Sequence, residues 1–296
     1  SDTPKQSTNW DGAMSSSGLL EVKREPWEPV VLQTADDLAA GHPPVIIIGM
    51  HRSGTTMVTR MLEQLGLFVG KSKESNHEAL MFLGLNDWLL RQSGGAWDHP
   101  EPIAHLLDNR NLRKRVSQYL AYYLRSPRTL PYLGFGRYLR SRTPFDLKSP
   151  WGWKDPRNTF TLPIWLDLFP GAKVIHIHRH GVDVANSLWT RERQVSANKR
   201  RKTWLRNAMY TLRPDRANFS SSPRCATLEG GFDLWQTYMS EADKKLQSIP
   251  NRTLEIRYES FLADPVTHLK EAAAFCGLPA SAARLEQIAS QADPDR

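Results

Sequence analysis

The sequence predicts an α/β fold of three layers, in which a central parallel sheet is flanked by helices. A β-branched run at residues 45–48, bounded by Pro44 and Gly49, is typical of a strand buried on both faces of a parallel sheet. Apolar residues at helical spacing follow this run, and a second strand–helix pair appears in the middle of the chain. Strands that alternate with helices require a parallel sheet covered on both faces.

Composition divides the 296-residue chain into two segments. Residues 1–42 are rich in Ser, Pro and charge and show no sustained period, which predicts an N-terminal arm that is partly irregular. Residues 43–296 form the predicted domain, within which residues 191–230 are interpreted as a basic insertion. One α/β domain fits this length.

The elements follow one another in a regular order. The strand at 45–49 leads through a turn into a helix that we expect to end at Gly66, because glycine tolerates a left-handed cap. Residues 78–125 are predicted to be mainly helical, and the second strand–helix unit has its strand at 172–177 and its helix after Gly181. The remaining predicted elements are a helix at 235–249, a strand at 254–258 and a helix from about 265 to 276.

The composition, with 40% hydrophobic and 24% charged residues, is typical of a globular protein and excludes a disordered or fibrous chain. The longest apolar run is too short to cross a bilayer, and the N-terminus lacks a signal-peptide pattern. Cys225 and Cys276 cannot form a disulfide framework and lack metal-site spacing. We therefore expect a cytoplasmic protein. The alternative is a secretory lumen, if an N-terminal anchor has been removed, and glycosylation sequons at Asn218 and Asn251 would matter only there.

Much of the net charge of +8 can be assigned to one stretch, residues 191–216. Nine Lys or Arg residues lie there with two acidic residues, a net charge of +7. Such a concentration indicates an anionic partner that is reached from one side of the protein. The alternative interpretation is a solvated loop that has no partner.

The loop between the first strand and the first helix predicts an anion site. It reads Gly49, Met50, His51, Arg52, Ser53, Gly54, Thr55 and Thr56. Its glycines allow a tight turn, and the N–H groups at the start of the helix point at a ligand with the positive end of the helix dipole behind them. Arg52 adds a fixed charge, and the Thr55 and Thr56 hydroxyls add donors.

This loop is close to a P-loop but lacks the P-loop lysine. The pattern G-x-x-x-x-G-K-[ST] requires Lys after the second Gly, whereas Thr55 follows Gly54 here. Because that lysine reaches the β- and γ-phosphates, its absence argues against an ATP- or GTP-dependent kinase. At these residues the sequence resembles the sulfotransferases that use 3′-phosphoadenosine 5′-phosphosulfate (PAPS). Their donor loop reads basic residue, Ser, Gly, Thr, Thr, and Arg52 resembles the tyrosylprotein and bacterial carbohydrate-type branches.

Other segments carry the same resemblance, which spans roughly residues 44–277 and implies a P-loop-like fold. Arg179 and Ser187 have the spacing at which the family holds the 3′-phosphate of PAPS, Lys154 matches a central strand-end lysine, and Tyr258 matches a tyrosine near the adenine. Cytosolic members have a Trp where Met57 stands. The donor-binding residues that the resemblance implies are His51, Arg52, Ser53, Gly54, Thr55, Thr56, Arg179, Ser187 and Tyr258.

The resemblance implies transfer of a sulfuryl group from PAPS to a hydroxyl acceptor, with PAP as product and without a metal. Charge develops on the leaving phosphate, and we expect Arg52 and Lys154 to stabilise it by about 2–4 kcal/mol each. The acceptor hydroxyl must lose a proton to a base. Glu78 is the first candidate for this base, with His77 and Glu74 as alternatives.

The acceptor is less defined than the donor. An oligosaccharide or glycolipid, including an anionic one, is the first expectation, and residues 191–216 could also contact an anionic membrane surface. Two other classes remain as alternatives, a P-loop-type small-molecule kinase and a basic nucleic-acid-binding protein. No nucleic-acid partner is expected, because such a protein would leave both phosphate sites unexplained. The sequence leaves the oligomeric state open.

Overall fold

The computed structural model describes residues 41–201 and 220–292, with the side chains of 196–201 excepted. Four parallel strands of this part of the chain form one sheet in the order β2-β1-β3-β4. The strands are β1 (Val45–Ile48), β2 (Gly152–Lys154), β3 (Lys173–His178) and β4 (Thr253–Arg257). The central strands are β1 and β3, which confirms that the β-branched run at 45–48 is an interior strand of a parallel sheet.

Helices cover both faces of this sheet. They are α1 (Thr55–Gln64), α2 (Leu80–Gln92), α3 (Ile103–Asp108), α4 (Arg110–Arg125), α5 (Leu130–Leu133), α6 (Phe135–Ser141), α7 (Asn158–Leu168), α8 (Gly181–Arg201), α9 (Leu228–Leu246), α10 (Tyr258–Ala263), α11 (Pro265–Cys276) and α12 (Ala282–Ala289). None of the helices in the described ranges is long and apolar enough to cross a membrane.

The hydrophobic core consists of two layers separated by the sheet. Successive side chains of a strand point to opposite faces. Ile46 and Ile48 therefore pack on one side with residues of α2, α4, α7 and α9, whereas Val45 and Ile47 pack on the other with α1, α11 and α12. This arrangement confirms the predicted three layers.

Most predicted elements lie within a few residues of the observed ones. The strand expected at 254–258 begins and ends one residue earlier, because Tyr258 opens α10. The helix expected at 235–249 starts at Leu228, where the Thr227 side chain accepts a hydrogen bond from Gly230 N. Residues 191–201 of the basic insertion continue α8. Residues 1–40 and 202–219, with most of the predicted arm and a little under half of the insertion, lie outside the described residues.

Candidate active site

The carboxyl ends of all four strands meet at one edge of the sheet, where ligands of open α/β sheets bind. The predicted anion loop follows β1, residues 155–157 follow β2, Arg179 follows β3 and Tyr258 follows β4. A cleft of about 560 Å³ opens at this edge. The sheet therefore brings together segments that lie up to two hundred residues apart in the chain.

The loop after β1 requires glycine at two positions. Gly49 has φ 139° and Gly54 has φ 84°, and a Cβ atom would lie 2.1 Å from Ile177 O at the first and 2.1 Å from the Tyr258 ring at the second. Arg52, with φ 70°, is left-handed although it is not glycine. That conformation costs about 1–2 kcal/mol, so the surrounding contacts must hold it.

The main contact of Arg52 is with the second predicted phosphate site. Its Nε donates a hydrogen bond of 2.8 Å to Ser187 Oγ on α8. Arg52, Arg179, Ser187 and Arg191 line a side lobe of about 420 Å³, here named the arginine lobe. The structure thus joins the loop after β1 to the Arg and Ser that follow β3.

Few acidic groups neutralise the arginine lobe. The Arg179 guanidinium lies over the Tyr258 ring at 4.9 Å, and its buried Nε has no hydrogen-bond partner among the described residues. The nearest carboxylate, of Asp183, is 3.9 Å from Arg179 Nε and half-exposed. Burial lowers the pKa of Arg52, and the charges of Arg191 and Arg179 lower it further. These mutually repelling cations favour binding of an anion.

Arg191 is a residue of this lobe that the sequence patterns assigned only to the basic stretch. It lies four positions after Ser187 on α8, and residues four apart share one face of a helix. That spacing is the signal by which the sequence alone could have identified it.

The main part of the cleft contains a buried lysine at the end of β2. Lys154 is 2% exposed and donates to Glu78 Oε1 at 2.9 Å and to Asn76 O at 2.6 Å. Its Nζ also lies 3.4 Å from Thr56 Oγ1, which donates to the same Asn76 carbonyl. Lys154 therefore ties the start of α1 to the segment that carries Glu78.

Glu78 is held in a compact group of charges. Its carboxylate is almost fully buried, and Arg157 Nη1 lies 3.9 Å from Oε2. Asp155 orients Arg157 by accepting from its backbone N and its Nη1, and accepts in turn from Asn86 Nδ2. Burial raises the pKa of Glu78, against the opposing effect of Lys154.

The two alternative bases face elsewhere. His77 Nε2 contacts the carboxylate of Glu63 on α1, which also binds the Lys73 ammonium group. The Glu74 carboxylate accepts hydrogen bonds from the backbone N and the side chain of Asn76. Neither His77 nor Glu74 lines the cleft, whereas Glu78 does. Of the three residues that the sequence offered as candidates for the base, Glu78 is therefore the one that lines the cleft.

Two side chains of the loop after β1 keep unpaired polar atoms in buried positions. Ser53 is fully buried, and its Oγ has no hydrogen-bond partner among the described residues. His51 lines the cleft with its ring against Trp97, at 4.8 Å between ring centroids, and its buried Nε2 is also without a partner in this part of the chain. Burial and nearby cations, chiefly Arg157, hold the pKa of His51 well below its usual value. His51 is therefore a neutral group at pH 7.

No group of three or more His, Cys, Asp or Glu residues suited to a metal ion occurs within the described ranges. Cys225 and Cys276 are both buried and free. Trp151 and Trp153 belong to the core and are fully buried, whereas Trp97 is only partly buried. Trp97 is therefore an aromatic side chain near His51 that retains some exposed surface.

Comparison with known proteins places these observations in a family. An uncharacterized protein of Aquifex aeolicus (strain VF5) is 25% identical over 256 residues, which cover 81% of this chain and 26% of that protein. The chain thus spans about a quarter of the length of this curated relative.

The solved structures to which the chain is similar include two sulfotransferases. One is the sulfotransferase domain from the Synechococcus PCC 7002 olefin synthase, with 18% identity, a TM-score of 0.44 and coverage of 86% of this chain and 82% of that chain. The other is a sulfotransferase from Alicyclobacillus acidocaldarius, with 18% identity, a TM-score of 0.44 and coverage of 86% and 88%. The family model described as "Sulfotransferase family" matches residues 43–282. This match covers most of the chain, which therefore belongs to the sulfotransferase family.

Proposed function

We propose that this chain transfers a sulfuryl group from PAPS to a hydroxyl acceptor and releases PAP. The observation that carries the proposal is the hydrogen bond between Arg52 and Ser187, because it makes two anion sites into one continuous surface. A helix N-terminus with Arg52 suits the 5′-phosphosulfate, and the arginine lobe suits a second phosphate. A nucleoside that carries phosphate groups at its 5′ and 3′ positions, as PAPS does, matches this pair of sites.

The chemistry of the donor side also fits this ligand. Ser53 Oγ and Arg179 Nε are buried atoms without hydrogen-bond partners among the described residues, and anionic oxygens would supply partners for both. Arg191 adds a third guanidinium group to the lobe. Tyr258 lines the cleft but is only 4% exposed between Gly54 and Arg179. That burial favours support of the loop and of Arg179 over stacking with adenine.

In the proposed reaction, the acceptor oxygen bonds to sulfur while the bond between sulfur and the 5′-phosphate oxygen breaks. The negative charge that develops on the phosphate is stabilised by Arg52, Lys154 and the N–H groups at the start of α1. Glu78 takes the proton of the acceptor hydroxyl. Its place beside Lys154, at 2.9 Å, puts the base and the charge-stabilising group at the same point of the cleft.

For the acceptor we propose an oligosaccharide or the head group of a glycolipid. Trp97 supports this class, because its partly buried ring packs against His51, which lines the cleft, and an exposed indole surface can stack on a sugar ring. Arg191, with its guanidinium 6.0 Å from that ring, would favour an acceptor that carries a negative charge.

Ligand-dependent stability tests the donor assignment. PAP, ATP with Mg²⁺ and duplex DNA are compared at equal concentration in thermal unfolding of the full chain. We expect PAP, at a concentration a hundredfold over its Kd, to raise the free energy of unfolding of the chain by about 2.7 kcal/mol. Stabilisation by ATP with Mg²⁺ alone would favour the kinase alternative, and stabilisation by DNA alone would favour the nucleic-acid-binding alternative. Either result, or no effect of PAP, contradicts the proposal.

Transfer itself is tested with radiolabelled PAPS and a panel of oligosaccharides and glycolipids. Arg52→Ala should abolish transfer, because it removes both the charge at the loop and the contact with Ser187. The matched control is Arg91→Ala, which removes an exposed arginine on α2 that pairs with Asp87 outside the cleft. Retained transfer in Arg52→Ala would remove this residue from the mechanism.

A further inference from the structure

A second cationic region precedes β2 in the chain, and none of its residues lines the cleft or the arginine lobe. Residues 110–148 contain ten Lys or Arg residues and a single acidic residue, Asp146. Nine of the ten basic side chains are exposed, and the exception, Arg113, is buried in an ion pair with Asp167. The net charge of this region, ten basic residues less one acidic residue, is +9 and exceeds the +7 of residues 191–216. Its exposed basic side chains face solvent.

The same region exposes an unusual share of the large apolar side chains. Of the ten such side chains that are exposed in the described ranges, six belong to it, namely Leu112, Tyr119, Tyr122, Leu130, Phe135 and Leu139. Tyr122 and Phe135 are the most exposed of the ten, at 75% and 72%. Contiguous exposed apolar groups on a globular protein mark sites of interaction.

These side chains belong to one continuous part of the fold. The turn between α4 and α5 contacts the residue that follows α6, since Thr129 Oγ1 donates to Arg142 O at 3.3 Å. The Arg125 guanidinium lies 4.9 Å from the Phe145 ring in the segment that follows α6. We call the exposed face formed by α4, α5 and α6 the α4–α6 surface. Phe135 and Leu139, four positions apart, lie on one side of α6.

The α4–α6 surface borders the segment that carries the proposed base. The backbone N of Lys71 donates to Tyr132 O at 2.8 Å, and that of Ser72 donates to Pro131 O at 3.2 Å. The chain then runs through residues 73–77 to Glu78. A partner bound to this surface would therefore lie next to one rim of the cleft.

We propose that the α4–α6 surface docks on an anionic lipid bilayer. Basic side chains that alternate with protruding aromatic and leucine side chains are the combination by which proteins bind the interface of a membrane. The basic groups face the lipid phosphates, while Tyr122, Phe135 and Leu139 enter the boundary between head groups and acyl chains. A second copy of the chain fits poorly, because it would bring two strongly cationic faces together.

The inference goes beyond the proposed transfer reaction and does not depend on the donor. Docking of the α4–α6 surface would place one rim of the cleft next to the bilayer. An acceptor anchored in the bilayer would then reach Glu78 from the side of α5 and α6. Docking and transfer are measured separately, so failure of one does not imply failure of the other.

Co-sedimentation of the full chain with vesicles tests the inference. We expect binding to phosphatidylcholine vesicles that contain about a third phosphatidylserine to exceed binding to pure phosphatidylcholine at least about tenfold. Raising the salt from about 0.1 M to about 1 M, which shortens the Debye length from about 10 Å to about 3 Å, should remove most of this difference. Equal binding to both vesicle types, or binding to neither, overturns the proposal.

Two pairs of variants locate the contact. Tyr122→Ser/Phe135→Ser and Arg115→Glu/Arg140→Glu should each lower vesicle binding about tenfold or more, since the apolar and the charged contacts act together. Their controls, Val266→Ser and Lys270→Glu, change exposed residues of α11 and should bind as the parent does. Thermal unfolding and PAP binding should be the same in all four. Undiminished vesicle binding in the first two variants would assign the contact to another region and overturn the proposal, as would a preference for duplex DNA or polyglutamate over anionic vesicles.

Discussion

The arginine lobe and the Lys154–Glu78 pair lie in the same cleft, but the positive charges of the lobe are largely uncompensated whereas the charge of Lys154 is paired. In the lobe, Arg52, Arg179 and Arg191 repel one another, and the one carboxylate among the described residues that line it, of Asp183, is half-exposed. At the end of β2, Lys154 is almost fully buried and bonded to an equally buried Glu78. One half of the site has an excess of positive charge, and the other half is balanced.

This difference indicates a division of roles. Cations that repel each other gain free energy when an anionic ligand binds, which suits a donor with two charged groups. A buried ion pair is sensitive to the loss of either partner, because the remaining charge is left without compensation. The lobe should therefore control affinity for the donor, and the pair should control both the rate and the stability of the fold.

The largest effect is expected from Lys154→Met. It leaves the buried Glu78 carboxylate without its partner at 2.9 Å, which should cost about 3–5 kcal/mol of unfolding free energy and abolish transfer. The double variant Lys154→Met/Glu78→Leu should recover most of the stability and none of the activity. Denaturant unfolding and a transfer assay on both variants check this. A stable single variant would mean that Lys154 and Glu78 are not energetically coupled.

Glu78→Gln should have the next largest effect. The amide still accepts the Lys154 hydrogen bond but cannot take a proton, so kcat should fall about 10²–10⁴-fold while PAP affinity stays unchanged. Only the ionised carboxylate accepts a proton. The rate of the parent should therefore fall as pH drops through the pKa of Glu78, which burial raises above the ordinary carboxyl range. If Glu78→Gln kept the parent's kcat and the same loss of rate at low pH, Glu78 would be excluded as the base.

Arg191→Gln should weaken PAP binding about tenfold with little effect on kcat, since a hydrogen bond from a charged group contributes about 1.5–3 kcal/mol. The control is Arg193→Gln on the same helix, whose guanidinium lies over the Trp189 ring at 4.6 Å instead of in the lobe. Isothermal titration with PAP at several salt concentrations measures both. Equal losses in the two variants would show a general effect of charge on α8 and not a specific site.

The smallest effect is expected from His77→Asn. Asparagine tolerates the left-handed backbone of this position, φ 69°, so only the contacts of the imidazole with Glu63 and Lys73 are lost. Burial lowers the pKa of His77, so the contact with Glu63 is a hydrogen bond that contributes about 0.5–1.5 kcal/mol to the free energy of unfolding. Because His77 does not line the cleft, kcat should change little. A loss comparable to that of Glu78→Gln would instead make His77 the base. Steady-state kinetics of the two variants side by side decide between them.

Several features of the site could be predicted because they depend on residues close together in the chain. The β-branched run at 45–48, the glycines on either side of Arg52 and the start of α1 are local features, and the observed φ angles of Gly49 and Gly54 match that interpretation. The positions of Arg179 after a strand and of Ser187 on the next helix are also as predicted, since β3 ends at His178 and α8 begins at Gly181.

Other features could not be predicted because they join distant residues. Lys154 and Glu78 lie 76 positions apart, and Arg52 and Ser187 lie 135 apart. Their contacts depend on the order β2-β1-β3-β4, which places the ends of β2 and β3 on either side of the loop after β1. The contact of His77 with Glu63 of α1, outside the cleft, is a further example of a contact that the sequence did not indicate.

The sequence by itself determined that a loop with two glycines and an arginine joins a buried strand to a helix, because glycine, strand and helix preferences act over a few residues. Only the tertiary structure decided which charges meet. It placed Arg191 in the lobe, paired Lys154 with Glu78, and left most of the basic side chains and several large apolar side chains of residues 110–148 exposed. The physical reason is that charge interactions depend on distance and burial in the folded chain, and sequence spacing defines neither beyond a few helical turns.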